Sequence, residues 1–365
     1  MPLVPKNIEK LQTYKPGQSI AEIKRQLGLS KVIKLASNEN PFGSSPMALE
    51  AVRSSLNENF RYPDAAAILL RSKLADKFDL NLSNVTVGAG SEGVMSAIMR
   101  TFLRQRDEII GSKNSFIGFR VLANASGNRI NWISLKNYRH DLIEMAKYIN
   151  EYTKLIYLAN PDNPTGTYFT IDEFDHFMKL VPERVLVLLD EAYFEYAQHL
   201  DDYPDSMYYR YDNVITIRTF SKAHGLAGFR VGYGFAHEYL IKNLLKVKLP
   251  FEPSWPAQIA AIAALDDNAY IQKAVETCKQ GKKKMETIFN EIDLEYIPSA
   301  TNFLTLVFKS KREAVTFTNS MLRKGIILRH LAGWGLPDCV RVTIGTDSEN
   351  DYFINCLSEI ICRTS

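Results

Sequence analysis

A chain of 365 residues with 46% hydrophobic and 23% charged residues suits two lobes and an ordinary globular enzyme rather than a disordered or fibrous protein. Its net charge of +3 arises from acids and bases mixed along the sequence, which leaves neither a nucleic-acid-binding tract nor a membrane-binding face. Residues 1–6 carry no apolar leader core, and no apolar run approaches the ~18 residues of a membrane span. The four cysteines and six histidines are scattered, without the spacing of a disulfide framework or a zinc site, so a reduced, cytoplasmic, metal-free protein is expected.

In chain order, short apolar runs at residues 85–87, 155–158, 185–189 and 214–217 have strand length and mostly lack polar alternation. That pattern predicts strands buried on both faces of a mainly parallel sheet, with the longer stretches between them crossing back as helices. Prolines at 250, 253 and 256 break the pattern, and a helix is predicted over residues 257–265. The expected organisation is an N-terminal segment over 1–35, a large α/β domain over 36–255 and a smaller α+β domain over 256–365.

Four motifs follow predicted strands, where open α/β sheets bind their ligands. Gly88-Ala89-Gly90-Ser91-Glu92-Gly93 is a glycine-rich strand-to-helix turn whose free N–H groups suit a phosphate, although a tight turn without a ligand has the same sequence. Asn160-Pro161-Asp162-Asn163-Pro164-Thr165-Gly166 forms a rigid loop through its two Asn-Pro steps; rigidity does not require Asn163, whose amide can donate to a ligand oxygen. Asp190 directly follows the apolar run 185–189 and is costly to bury unless it meets a cation or a strong donor; a surface acid at a strand end is the alternative. Lys222 follows two hydroxyl residues, in Thr219-Phe220-Ser221-Lys222, with small residues after it and Arg230 eight positions on.

Together these motifs resemble a fold-type I aminotransferase dependent on pyridoxal 5′-phosphate (PLP), and within that group the histidinol-phosphate aminotransferases. The resemblance runs from Ala36-Ser37-Asn38-Glu39-Asn40-Pro41-Phe42-Gly43 to Arg341-Val342-Thr343-Ile344-Gly345-Thr346. It implies that Lys222 holds PLP as a Schiff base and carries the proton between the substrate α-carbon and the cofactor. Asp190 pairs with the protonated pyridine nitrogen, and Asn163 and Tyr193 bond the ring oxygen. Thr219, Ser221, Arg230 and the backbone amides of Ser91 and Glu92 hold the phosphate. Phe116 takes the place of the aromatic residue that stacks on the ring; a tyrosine hydroxyl is common there in relatives and is absent here. Tyr62 matches a tyrosine that reaches the other subunit's cofactor phosphate, which implies a homodimer; a core aromatic before a turn is the plainer reading.

The substrate end rests, by the same resemblance, on Tyr14, Asn38, Arg329 and Arg341. Two guanidiniums suit a dianionic phosphate and must also accept the carboxylates of glutamate or 2-oxoglutarate. His330 reads as a neighbour and Trp334 as a packing residue. Glu252 stands where relatives often carry asparagine, and either faces the pocket or solvent. An aromatic amino acid aminotransferase, a PLP-dependent decarboxylase of a phosphorylated amino acid and a PLP-binding transcription regulator remain as alternatives. The last needs a basic helix-turn-helix extension, for which the motifs, beginning near Ala36, are expected to leave no room.

Overall fold

The computed structural model describes residues 3–11, 13, 17, 19–206 and 210–361. Seven strands form the main sheet: β1 (Val85–Gly88), β2 (Glu108–Ser112), β3 (Arg129–Ile133), β4 (Thr153–Ala159), β5 (Leu186–Asp190), β6 (Val214–Thr219) and β7 (Gly232–Phe235). Their order is β1-β7-β6-β5-β4-β2-β3, and every pairing is parallel except the two made by β7. The four strands expected from the sequence are present, each within two residues of the apolar run that predicts it.

Side-chain alternation splits the central strands between two cores. Leu155 and Tyr157 of β4, with Leu186 and Leu188 of β5, pack on one face against Val94, Met95 and Ile98 of helix Gly90–Phe102. Ile156, Leu158, Val187 and Leu189 pack on the other face against Phe174 and Phe177 of helix Ile171–Met178. Burial on both faces explains why these runs are apolar throughout.

The smaller sheet is antiparallel, with β8 (Tyr296–Ile297), β9 (Phe303–Val307), β10 (Arg329–His330) and β11 (Cys339–Thr343) in the order β10-β11-β9-β8. Its core takes Met285 and Phe289 from helix Asn268–Glu291, Phe317 and Met321 from helix Lys311–Arg323, and Phe353 and Leu357 from helix Asp347–Ile361. Ile33–Lys34 pairs in parallel with Ile326–Ile327, which ties the N-terminal segment to this lobe. Helix Trp255–Ala264, which begins two residues before the expected 257 and ends one before 265, buries Ala257, Ala260, Ala261 and Ala264 with Val85, Val87, Tyr233 and Phe235 of the main sheet. The next helix, Asn268–Glu291, enters the small-sheet core, to which Ile33, Leu35, Tyr193 and Tyr196 also contribute. Among the described residues, no helix is long and apolar enough to cross a membrane.

Candidate active site

The carboxyl ends of β4, β5 and β6 open on a cavity of about 230 Å³. It is lined by Ser91, Glu92, Phe116, Asn163, Asp190, Tyr193, Thr219, Ser221, Lys222 and Arg230, ten of the residues singled out from the sequence.

One end of the cavity suits an anion. Helix Gly90–Phe102 begins there with its free N–H groups, and its first turn is seated against β7 because Gly232 has no side chain; a Cβ would collide with the Ser91 nitrogen. Gly90, at φ +77°, gives Arg230 the same clearance, since an added Cβ would lie 2.8 Å from its guanidinium. Arg230 Nη1 donates to Ser221 Oγ at 3.4 Å, Nη2 donates to Glu92 Oε2 at 3.3 Å, and Thr219 Oγ1 donates to Ser221 Oγ at 3.0 Å. Two hydroxyls, one guanidinium and a helix start form a donor set matched to a phosphate.

The other end holds Asp190, whose carboxylate accepts from the Tyr157 hydroxyl at 2.8 Å and from the Ala192 N–H at 3.1 Å. Burial raises its pKa to about 7, with the two donors acting against that shift. Lys222 lies between the two ends, on the turn after β6. Burial, then the positive charge of Arg341, lowers its pKa to about 8. The turn is clasped by the N-terminal motif: Asn40 Nδ2 donates to Ala223 O and Ser44 Oγ to Gly225 O, each at 2.8 Å. Gly225 is required where it stands, because a Cβ would strike the Gly43 carbonyl.

Above these groups, Asn163 Oδ1 accepts from Arg341 Nη1 at 2.5 Å, so its Nδ2 is left to donate into the cavity. The Tyr193 oxygen accepts from Asn38 Nδ2 at 2.8 Å, which leaves its own proton to donate. Burial raises the Tyr193 pKa to about 12, so it remains a donor at neutral pH. Phe116 reaches the cavity wall over Gly118, where a Cβ would run into the Phe116 ring.

The substrate-side residues are placed less uniformly. Arg341 and Arg329 are register partners on β11 and β10, and their guanidinium carbons lie 5.7 and 4.9 Å from the centre of the same Trp334 ring. Trp334, read from the sequence as packing, is therefore the platform under both cations. Asn38, at φ 57°, is buried behind Tyr193, with its Oδ1 accepting from Thr343 Oγ1 at 3.0 Å; it does not line the cavity. Tyr62 is 80% exposed, stacks on Phe251 at 4.4 Å and lies outside this chain's cavity. Tyr14 falls outside the described residues. The Glu252 carboxylate comes within 3.7 Å of where a Cβ on Gly93 would sit, beside the first turn of helix Gly90–Phe102. Sequence reasoning passed over Ser37, Glu39, Ala159, Pro161, Ala192 and Ala227 in the lining, and also Tyr157 behind Asp190. For Tyr157 the signal was present: it is the only hydroxyl in the run 155–158.

The sequence model of aminotransferase class I and II matches residues 30–357. The chain belongs to this aminotransferase family. A histidinol-phosphate aminotransferase of Carboxydothermus hydrogenoformans is 40% identical over 98% of this chain and 99% of its own. Another, from a Geobacillus species, is 42% identical over 96% of each chain. The solved structure of histidinol-phosphate aminotransferase from Sinorhizobium meliloti in complex with pyridoxal-5′-phosphate is 28% identical, with a TM-score of 0.90 over 100% of this chain and 99% of that one. The likeness of this aminotransferase to its relatives thus spans both lobes.

Proposed function

We propose that this aminotransferase uses PLP to move an amino group between L-histidinol phosphate and 2-oxoglutarate, alternately loading and unloading the cofactor. The observation that carries the substrate reading is the pair Arg329 and Arg341, two guanidiniums against one indole, with Arg341 bonded to Asn163 of the cavity wall. A phosphate monoester offers two charges and several oxygens to such a pair, whereas a single carboxylate uses less of it. The names of the relatives point the same way.

The residues present fit the cofactor. Arg230, Thr219, Ser221 and the N–H groups of Ser91 and Glu92 would hold its phosphate, and Asp190 would hold the proton of its ring nitrogen. Asn163 and Tyr193 would donate to its ring oxygen, and Phe116 would cover a ring face. When bound, PLP supplies an electron sink for the charge left on the substrate α-carbon. Lys222 moves the proton at that carbon, and its lowered pKa makes the neutral amine accessible near pH 8. Arg329 and Arg341 orient the substrate through its anionic end.

A homodimer completes the reading. Leu56, Phe60, Tyr62 and Leu69 are all more than half exposed along one stretch of chain, an apolar surface suited to a second copy, with Tyr62 reaching the partner's phosphate site. A cytoplasmic location accords with the free thiols of Cys278, Cys339 and Cys356. Steady-state assays with 2-oxoglutarate as acceptor test the substrate: kcat/KM should be higher for histidinol phosphate than for phenylalanine or tyrosine. The reverse order would replace this reading by an aromatic aminotransferase.

A further inference from the structure

Behind Asp190 stands a second layer that the cofactor reading does not use. In the β4–β5 register Tyr157 lies opposite Leu188 and Ala159 opposite Asp190, so Tyr157 and Asp190 are diagonal neighbours on one face of the sheet. That diagonal lets a phenol reach a carboxylate, and the Tyr157 hydroxyl donates to Asp190 Oδ2 at 2.8 Å. The Tyr157 ring is held in turn by Phe119, stacked at 3.8 Å with planes 7° apart, and Phe119 packs edge-on against Trp132. We propose that Tyr157 is a positioning residue of the reaction: its hydroxyl, fixed by Phe119, keeps the Asp190 carboxylate ionised and in one orientation at its end of the cavity.

The surroundings show why such a donor matters. Asp190 is buried, and Glu92 and Glu191 add negative charge beside it, so desolvation and repulsion both favour the protonated acid. Against them stand the Tyr157 hydroxyl, the Ala192 N–H and the more distant charge of Lys222. A protonated Asp190 could not serve as counter-ion to a ring cation. Tyr157 is itself suited to the task, because burial and the Asp190 charge raise its own pKa well above the usual phenol value, and it stays a donor throughout the working range.

The proposal rests on the reading of Asp190 as the partner of the cofactor nitrogen, and its test separates the two. Tyr157→Phe removes the hydroxyl and keeps the ring stack. The pH midpoint of the protonated Asp190 carboxyl is read by infrared difference spectroscopy of the cofactor-free protein, with Asp190→Asn identifying the band. The midpoint should rise by about one to two pH units in Tyr157→Phe, the effect of losing one hydrogen bond to a charged group. PLP affinity at pH 8 should fall about two- to tenfold as the anionic fraction drops. A midpoint and an affinity both equal to wild type would overturn the role and leave Tyr157 a packing residue. Should Tyr157→Phe fail to fold, Phe119→Leu keeps the hydroxyl but loosens it, and an upward shift is expected there too; no shift would overturn the proposal. Failure of wild type to take up PLP would instead overturn the cofactor reading, while the infrared midpoint would still report whether Tyr157 holds Asp190 ionised.

Discussion

Lys222 and Asp190 share a cavity in which each is held away from its ordinary titration, the amine lowered to about 8 and the acid raised to about 7. Both shifts are costs of burial, and their signs differ in consequence. From about pH 4 to pH 7 the folded cofactor-free protein binds a proton at Asp190 that the unfolded chain has lost, so stability falls as pH rises through that window. From about pH 8 to pH 10 the unfolded chain keeps the proton that Lys222 has lost, so stability rises again. Each slope is at most about 1.4 kcal/mol per pH unit. Urea unfolding of the cofactor-free protein at pH 5 and pH 8 should show wild type less stable at pH 8 and Asp190→Asn nearly free of that loss. The same variant should lose chemistry rather than substrate binding, seen as a slower single turnover with little change in apparent affinity, because an amide cannot hold a ring nitrogen protonated. Arg329→Gln tests the other end. Losing a charge-assisted bond of roughly 1.5–3 kcal/mol should lower kcat/KM for histidinol phosphate by about one to two orders of magnitude. Phenylalanine and tyrosine should lose less, provided that Arg341 suffices for their carboxylate; an equal fall for both types would make Arg329 a general anion or structural residue.

At the scale of elements, the strands that were legible are those with unbroken apolar runs, and each of the three strands missed in the main sheet has a physical reason. In β2 the buried Glu108 breaks the apolar pattern; it is tolerated because Asn131 and Asn150 donate to it, each at 2.9 Å, and Arg129 pairs with it at 3.0 Å. β3 lies at the sheet edge and is only partly buried, so its run is interrupted by polar residues. β7 reads as a turn because Gly232 and Gly234 punctuate it, yet both glycines serve close approaches: Gly232 to the Ser91 nitrogen, and Gly234 to Thr216 O, 3.0 Å from where its Cβ would be. The site loops were more legible than the sheet, since their glycines, prolines and charges stand out singly. Contacts that cross between elements, such as Tyr157 to Asp190 and the two arginines over Trp334, depend on register and were not legible. Gly232→Ala should push helix Gly90–Phe102 off its seat. Equilibrium dialysis against PLP should then show weaker retention while far-ultraviolet circular dichroism stays near wild type; unchanged retention would mean that the helix start does not hold the phosphate.

Across the whole molecule, the cavity is closed by contacts from the small lobe and the N-terminal segment. Arg341 reaches Asn163 and the Ala36 carbonyl, Asn38 reaches Tyr193, and Gly17 passes within 3.6 Å (measured from an added Cβ) of the Arg329 guanidinium. The small lobe thus braces a cavity lined by residues 37–230, and under the proposed homodimer Tyr62 would add a contact from a second copy. If the site is shared, mixing Lys222→Ala with Tyr62→Ala and refolding them together should restore activity, because half of the sites in the mixed dimer carry neither change. Absence of recovery would leave Tyr62 a surface aromatic stacked on Phe251. Whether a Lys222-held cofactor serves a phosphorylated amino alcohol is decided by one half-reaction. The PLP-loaded enzyme is mixed with histidinol phosphate, glutamate, phenylalanine or tyrosine, without any acceptor, and the visible absorbance is followed. The expected result is rapid loss of the lysine-bound cofactor's absorbance with histidinol phosphate and with glutamate, slower loss with the aromatic amino acids, and no lysine-bound absorbance to lose in Lys222→Ala. An enzyme that ignores histidinol phosphate and is converted by phenylalanine would contradict it.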